Sequence, residues 1–198
     1  MSHLSRSRRW VVAAGVLALT GVGATPAVLR AQAASGPTQV ILVRHAEKAT
    51  VGGDDPALSE LGKARAADLA AALRSAPPSA IIVSSLQRTA LTAADVVAAT
   101  GVTPQAIPVA GGAAHIAAVA SAVQKQTGTV LVVGHSNTVP AIIKALGGPS
   151  LPDICDATYS HLFVFTPARD GRAASLIVSR FGANEAAPPA TCAGMIPK

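Results

Sequence analysis

The sequence predicts an α/β fold in three layers, with a mainly parallel sheet flanked by helices and an antiparallel C-terminal hairpin. Short apolar runs alternate along the chain with helical stretches, which favours parallel strands joined by helical crossovers. The runs are apolar at every position, which is typical of strands buried on both faces. The chain has 198 residues, which gives room for one such domain after a short leader.

Three apolar runs are the predicted central strands: residues 40–43, 80–83 and 130–133. Residues 103–109 are a weaker candidate, because two prolines in that stretch cannot donate hydrogen bonds to a neighbouring strand. Nearer the C-terminus, two strand-like segments are separated by a proline and an Asp-Gly turn, which predicts an antiparallel hairpin at one sheet edge. These two segments are residues 162–166 and 174–181.

The segments between the strands have the features of helices. Ser59 can cap a helix that runs to about residue 74, with Leu61, Leu69 and Leu73 on one face. The other helices are predicted at residues 87–100, 113–126 and 138–146.

The first 33 residues have the order of a secretory signal peptide. Basic residues at positions 6–9 precede an apolar run over residues 10–24, and Ala31 and Ala33 supply the small side chains that a signal peptidase reads. We therefore expect this segment to be removed, leaving a domain of residues 34–198 in the periplasm or outside the cell, without stable membrane association. The paired arginines also resemble a twin-arginine export signal, and an uncleaved membrane anchor is the alternative.

The net charge of +6 does not indicate a nucleic-acid-binding surface. Four of the 16 basic residues and none of the 10 acidic residues lie in the first 33 positions, so the rest of the chain is nearly balanced. Aromatic residues make up only 3% of the chain, which disfavours a surface that stacks on bases. We expect no nucleic-acid partner, and the alanine-rich helices do not indicate an oligomeric state.

Cys155 and Cys192 are the two cysteines of the chain. In an exported protein a disulfide between them is the expected state, and it would tie the C-terminal tail to the domain. Two separate buried thiols are the alternative. Two cysteines among scattered histidines do not have the spacing of a zinc site, so we expect no metal.

Basic and imidazole side chains follow three of the predicted strands at the point where each strand ends. Arg44 and His45 follow the first strand, Arg88 lies shortly after the second, and His135 follows the third. The carboxyl ends of parallel strands meet at one edge of a sheet, so these side chains can converge in one pocket. Arginines match phosphate oxygens, neutral imidazole is a nucleophile near neutral pH, and helix N-termini offer backbone donors to an anion. The set favours phosphoryl transfer.

Four ordered motifs resemble those of the histidine phosphatase superfamily, which includes the phosphoglycerate mutases. Residues 43–47 (VRHAE) are similar to its Arg-His-Gly/Ala signature, residues 84–93 to its second motif, and residues 133–136 (VGHS) to its third. Residues 55–66 are similar to the first helix of the family. The resemblance extends over about residues 40–166.

The resemblance implies a role for each side chain of the pocket. His45 would be the nucleophile that becomes phosphohistidine, Arg44 and Arg88 would clamp the phosphate, and His135 would donate to the phosphoryl oxygens. No cofactor or metal is implied, because the arginines supply the positive charge. The chain is thus expected to be an exported, metal-independent phosphomonoesterase of the histidine acid phosphatase type, acting on a small phosphorylated molecule.

The general acid of the family is missing from its usual places. Mutase-like members have a glutamate between the second and third motifs, where the only carboxylate of this chain is Asp95. The phytase-like branch has an acid directly after the late histidine, where this chain has Ser136. Glu47 is the local candidate for the catalytic acid, and Asp55 and Asp156 are further ones from loops. A missing acid favours good leaving groups, such as those of acyl phosphates, phosphoramidates or pyrophosphates.

Two other functions fit part of the sequence. Residues 132–138 resemble the nucleophile elbow of serine esterases, with Ser136 as nucleophile and His161 as base, but this leaves the basic pocket unused. A non-catalytic pseudophosphatase that binds a phosphorylated ligand would explain the missing acid. Apart from the esterase possibility, His161 is expected to be structural, His115 to lie at the surface, and Arg65 to lie on a solvated face.

Overall fold

The computed structural model describes residues 36–187 and 189–196, so the predicted signal peptide lies outside the described residues. No helix in those two ranges is long and apolar enough to span a membrane. The strands are β1 (Pro37–Arg44), β2 (Ala80–Ser84), β3 (Gln105–Ile107), β4 (Gly128–Gly134), β5 (His161–Thr166) and β6 (Ser175–Arg180). The helices are α1 (Glu60–Ala72), α2 (Gln87–Thr100), α3 (Gly112–Gln124) and α4 (Thr138–Ala145), followed by a 3₁₀ turn at Ala190–Cys192.

The strands form one sheet in the order β3-β2-β4-β1-β5-β6. The first four strands are parallel, whereas β5 is antiparallel to β1 and β6 is antiparallel to β5. This confirms the predicted mainly parallel sheet with its C-terminal hairpin. β3 has only three residues and lies at the sheet edge, where the prolines on either side of it cost no ladder hydrogen bonds.

Two helices cover each face of the sheet, which explains why the strands are apolar at every position. Val40 and Leu42 of β1 belong to the core cluster that includes α3 and α4, and Ile41 and Val43 belong to the cluster that includes α1 and α2. Successive side chains of a strand point to opposite faces, so a strand covered on both sides needs apolar residues throughout. The three-layer prediction is therefore confirmed.

The predicted apolar face of α1 is wrong in its first turn. Leu69 and Leu73 are buried, but Leu61 is 55% exposed. At about 100° per residue, Leu61 lies roughly 80° to 120° around the helix axis from the other two leucines. The core contact of α1 is therefore made by its second half.

The first turn of α1 is held by a cap and by a close backbone contact. Ser59 caps the helix as predicted, because its Oγ accepts a hydrogen bond from Gly62 N at 3.1 Å. Gly62 lies against the backbone of Glu47, where an added Cβ would be only 2.1 Å from the Glu47 carbonyl oxygen. A glycine at this position thus lets α1 lie directly beside the segment that follows β1.

Cys155 and Cys192 form the predicted disulfide. It joins the loop after α4 to the C-terminal segment, by which we mean the described residues from 181 onward. The same segment is held by a β-bridge between Ile154 and Ile196, and Ile196 packs into one of the two main core clusters. The C-terminal segment is therefore bound to the domain covalently and by core packing.

Candidate active site

The four basic side chains predicted from the sequence lie at the carboxyl edge of the sheet. Arg44 ends β1, and the backbone N–H of the next residue, His45, donates to the Gly134 carbonyl at 2.9 Å. Gly134 ends β4 and is followed by His135, while Arg88 lies in the first turn of α2, just after β2. Because β4 lies between β1 and β2, the sheet order brings the three motifs to adjacent strand ends.

The hydrogen bond of His45 fixes which ring nitrogen is available for attack. The side chain is 5% exposed, and its Nδ1 lies 2.7 Å from the carbonyl oxygen of Ala46. A carbonyl oxygen only accepts, so Nδ1 carries the proton and Nε2 keeps its lone pair. The His45 and His135 rings meet edge to face with their centroids 5.3 Å apart. The geometry therefore presents a neutral imidazole whose Nε2 has no hydrogen bond to the residues that the structure describes.

Burial and nearby positive charge keep both histidines neutral. Burial is the largest effect on the pKa of His45 and lowers it; the Ala46 hydrogen bond, the next largest, raises it, and the charges of Arg44 and Arg88 lower it further, to about 3. Burial and Arg88 are the main causes that lower the pKa of His135 to about 4. At neutral pH both rings are uncharged, so the positive charge of the site comes from its arginines.

The guanidinium of Arg44 is held on three sides. Its Nη1 donates to the carbonyl oxygens of Cys155 at 3.0 Å and Thr158 at 3.1 Å, and its Nη2 pairs with Asp156 at 3.1 Å. The ring of Tyr159 lies under the guanidinium carbon at 4.2 Å. Its Nε is buried and has no hydrogen-bond partner among the residues that the structure describes. Arg44 is thus fixed in place by three of its five N–H donors, and its Nε–H is one of the two that remain for a ligand.

Arg88 has fewer described contacts than Arg44, and its Nε–H is likewise an unused donor among the described residues. Its Nη1 lies 3.4 Å from Asp55, and its Nε is buried without a partner in the described part of the chain. Asp55 also accepts from the backbone N–H of Gln87, and so occupies the N-terminus of α2, one of the helix N-termini expected to offer donors to an anion. Arg44 and Arg88 thus each have a buried Nε–H group with no partner among the described residues, and guanidinium N–H groups are donors that suit phosphate oxygens.

Three buried hydroxyls that the sequence analysis did not single out support the two histidines. Ser84 Oγ lies 3.0 Å from His135 Nε2 and 3.0 Å from Thr89 Oγ1. Thr92 Oγ1 accepts from Ala46 N at 2.9 Å and so fixes the backbone beside the nucleophile. The only sequence signal for these residues is that the two threonines lie three positions apart, on the buried face of α2.

The structure does not support Glu47 as the general acid. Its carboxylate accepts from Arg65 Nε at 2.9 Å and from Arg65 Nη2 at 2.7 Å, so both oxygens are engaged. Arg65 was predicted on a solvated face but is only 2% exposed. A buried guanidinium requires an anionic partner, and Glu47 supplies it. The pair is therefore structural support beside the site.

The remaining predicted residues lie around this centre. Asp95 is exposed on α2, and the side chain of Asp156 is 85% exposed beside Arg44. His115 was expected at the surface but is 3% exposed, with Nδ1 2.9 Å from the Pro108 carbonyl oxygen. His161 is 1% exposed and stacks on the aromatic ring two positions later in β5. No group of three or more metal-ligating side chains occurs among the described residues.

Comparison with known proteins finds one family model and several solved structures that resemble the chain. The model of the histidine phosphatase superfamily (branch 1) matches residues 40–109, a span that includes Arg44, His45 and Arg88. No curated protein matches the sequence. Among solved structures, the chain is 27% identical to SixA from Agrobacterium tumefaciens, with a TM-score of 0.52, and the match covers 74% of this chain and 99% of that one.

Two further solved structures share the fold at lower identity. The protein histidine phosphatase SixA complexed with tungstate is 18% identical, with a TM-score of 0.56, over 72% of this chain and 96% of that one. A mycobacterial glucosyl-3-phosphoglycerate phosphatase is 17% identical, with a TM-score of 0.53, over 74% of this chain and 99% of that one. Together with the four motifs and the arrangement at the sheet edge, the match of residues 40–109 to the family model supports the histidine phosphatase superfamily as the family that this chain resembles.

Proposed function

We propose that this protein is a metal-independent phosphomonoesterase of the acid phosphatase type that forms a phosphohistidine on His45. The match to the superfamily model and the similarity to solved phosphatase structures support phosphatase activity in general. One observation carries the finer proposal: the neutral His45, with Nε2 free, lies beside two arginines whose buried Nε donors are unused among the described residues. Such a site offers a nucleophile and a phosphate clamp together.

Two displacements complete the proposed reaction. In the first, the His45 Nε2 lone pair forms a bond to phosphorus while the bond to the leaving oxygen breaks, and that oxygen departs with the electron pair. Nδ1–H donates to the Ala46 carbonyl and stabilises the positive charge that develops on the ring. In the second, water attacks phosphorus, the P–N bond breaks, the pair returns to Nε2, and the water proton passes to solvent or to the released phosphate.

The other pocket residues would stabilise the charge on the phosphoryl group. Arg44 and Arg88 would each donate through Nε to its oxygens. When the Ser84 hydroxyl donates to His135 Nε2, the proton of that ring lies on Nδ1, which is then a donor for a phosphoryl oxygen. The site would thus surround the phosphoryl group with fixed donors, which is the main source of rate in phosphoryl transfer.

The carboxylates near the site indicate which substrates would react fastest. Glu47 is engaged by Arg65, and Asp55 by the α2 N-terminus and Arg88. Asp156 has an ion pair to Arg44 but is otherwise open to water. No buried carboxylic acid is therefore held ready for the leaving oxygen among the described residues. We infer small phosphorylated substrates with good leaving groups, such as acyl phosphates, phosphoramidates or pyrophosphates.

The first test is hydrolysis of p-nitrophenyl phosphate by the chain from residue 34, in EDTA, from pH 4 to 8. We expect turnover in EDTA. In the same buffer without EDTA, which would bind vanadate, we expect inhibition by vanadate but not by a serine-directed fluorophosphonate. Because the pKa of His45 is about 3, kcat/KM corrected for substrate ionisation should show no loss centred near pH 6.5 as the pH falls. The rate should also fall steeply when an alkyl phosphate replaces the aryl phosphate.

Each departure from this result has a distinct meaning. Absence of turnover with phosphate still bound would indicate a non-catalytic phosphate-binding protein. Inhibition by the fluorophosphonate alone would indicate a serine esterase that uses Ser136. An equal rate on aryl and alkyl phosphates would mean that an efficient general acid exists. Enzyme preincubated at each pH and assayed at pH 6 serves as the control for acid unfolding.

We also propose that the protein is exported to the periplasm or secreted, and that residues 34–198 form the mature domain. The order of the first 33 residues and the disulfide, which persists in oxidising compartments, both support this. We expect the protein recovered from the cell envelope or medium to begin at residue 34, as measured by intact mass. Recovery of the full-length mass from a membrane fraction would indicate an anchor instead.

A further inference from the structure

The loop that holds Arg44 is itself held by the C-terminal segment. We call residues 153–160 the Arg44 loop, because both carbonyl acceptors of Arg44 Nη1 and its aromatic partner come from it. The loop has no regular secondary structure apart from an isolated bridge, so its shape depends on contacts from other parts of the chain. Any shift of the loop would move the guanidinium that binds phosphate.

Glu185 accepts three hydrogen bonds from the end of the Arg44 loop. Its Oε1 accepts from the backbone N–H groups of Tyr159 and Ser160, the latter at 2.9 Å, and its Oε2 accepts from Ser160 Oγ at 2.7 Å. The Glu185 side chain is only 6% exposed. A buried carboxylate that accepts several hydrogen bonds from one loop leaves the backbone of that loop little freedom.

Arg65 joins this anchor to the segment after the nucleophile. Its guanidinium pairs with Glu47 at 2.7 Å and lies 3.6 Å from Glu185. Glu47 is two residues past His45, so the buried Glu47–Arg65–Glu185 network connects the two walls of the site. Glu185 and Glu47 also act on Arg44 through their charge. Burial lowers the pKa of Arg44, and the two carboxylates are among the groups that raise it.

The other end of the Arg44 loop is held separately. The disulfide joins Cys155 to the C-terminal segment, and Ile196 N donates to the Asp153 carbonyl at 3.1 Å. Ile154 N donates to the Ser136 carbonyl at 2.9 Å, next to His135. Loss of the Glu185 contacts should therefore loosen the Tyr159 end of the loop while the Cys155 end stays in place.

We propose that Glu185 is a positioning residue that fixes the Arg44 guanidinium for phosphate binding. It acts through the Arg44 loop and, with Arg65, couples that loop to the segment beside His45. The inference rests on the proposed function only in taking Arg44 as a phosphate ligand. Misplacing a fixed binding group by about 1 Å is costly even when the change lies away from the reacting atoms.

The test measures binding of inorganic phosphate by calorimetry, with kcat, KM and Tm, in the chain from residue 34. We expect Glu185→Ala to raise the phosphate Kd and the KM for p-nitrophenyl phosphate about tenfold, with a change in kcat of less than about threefold. Glu185→Gln retains one oxygen that can accept from the loop backbone, so it should restore part of the affinity. Glu60→Ala removes an exposed carboxylate that, within the described part of the chain, pairs with Lys63, and it should change none of these quantities.

A merely structural role would give a different pattern. A lowered Tm with phosphate Kd and KM within twofold of the parent would overturn the proposal, as would a loss confined to kcat. If Glu185→Ala does not fold, Glu185→Gln and Ser160→Ala test the proposal instead. Phosphate affinity equal to that of the parent in both variants would reject the proposal. Phosphate binding needs no turnover, so an inactive parent that binds phosphate would contradict the proposed hydrolase without affecting this inference.

Discussion

We expect His45→Ala to reduce the kcat for p-nitrophenyl phosphate by at least about a thousandfold. The variant removes the only group placed to form a covalent bond to phosphorus in the proposed mechanism. Water would then have to attack the ester directly, without the imidazole lone pair that the Ala46 hydrogen bond exposes at Nε2. The measurement is steady-state hydrolysis in EDTA with a sensitivity that reaches the uncatalysed rate.

A measurement of phosphate binding distinguishes loss of the nucleophile alone from damage to the whole phosphate site. The two arginines stay in place in His45→Ala, so the phosphate Kd should remain within about tenfold of the parent. The matched control is Ser136→Ala, which alters a half-buried hydroxyl beside His135 and should keep parental turnover. Equal turnover by the parent and His45→Ala would show that the nucleophile is assigned wrongly.

The parts of the site that the sequence predicts are those that follow directly from strand ends. Buried strands are recognisable because both of their faces are apolar, and the residues just after them must lie at one edge of a parallel sheet. Arg44, His45 and His135 directly follow or end such runs, and Arg88 lies in the first helical turn after another. Their convergence therefore requires no knowledge of distant contacts.

The supporting residues are not predictable in the same way. Arg65 and Glu185 lie 120 positions apart, and neither the helix pattern of α1 nor the composition of the C-terminal segment indicates that they meet. The burial of His115 depends on the packing of α3 beside the strand end at Pro108, although the preceding glycines suggest an exposed turn. The packed fold determines which residues form long-range ion pairs. In the sequence alone, each charged residue has many oppositely charged residues that could equally well be its partner.

The two arginines should respond differently to replacement by lysine. Arg44 uses Nη1 for two carbonyls and Nη2 for Asp156, and keeps Nε for the phosphate. A lysine has three donors on a single nitrogen, so it cannot reach both the loop carbonyls and the phosphate in that geometry. We expect Arg44→Lys to raise the KM for p-nitrophenyl phosphate and the phosphate Kd about a hundredfold.

Arg88→Lys is the matched comparison, because the only polar contact described for its guanidinium is the one to Asp55 at 3.4 Å. A lysine there keeps the positive charge at the start of α2, and few other contacts of Arg88 are lost. We therefore expect an increase in KM of only about tenfold. Equal effects of the two substitutions would mean that positive charge alone binds the phosphate. A larger effect at Arg44 would instead show that affinity depends on the fixed orientation of its guanidinium, which the Arg44 loop provides.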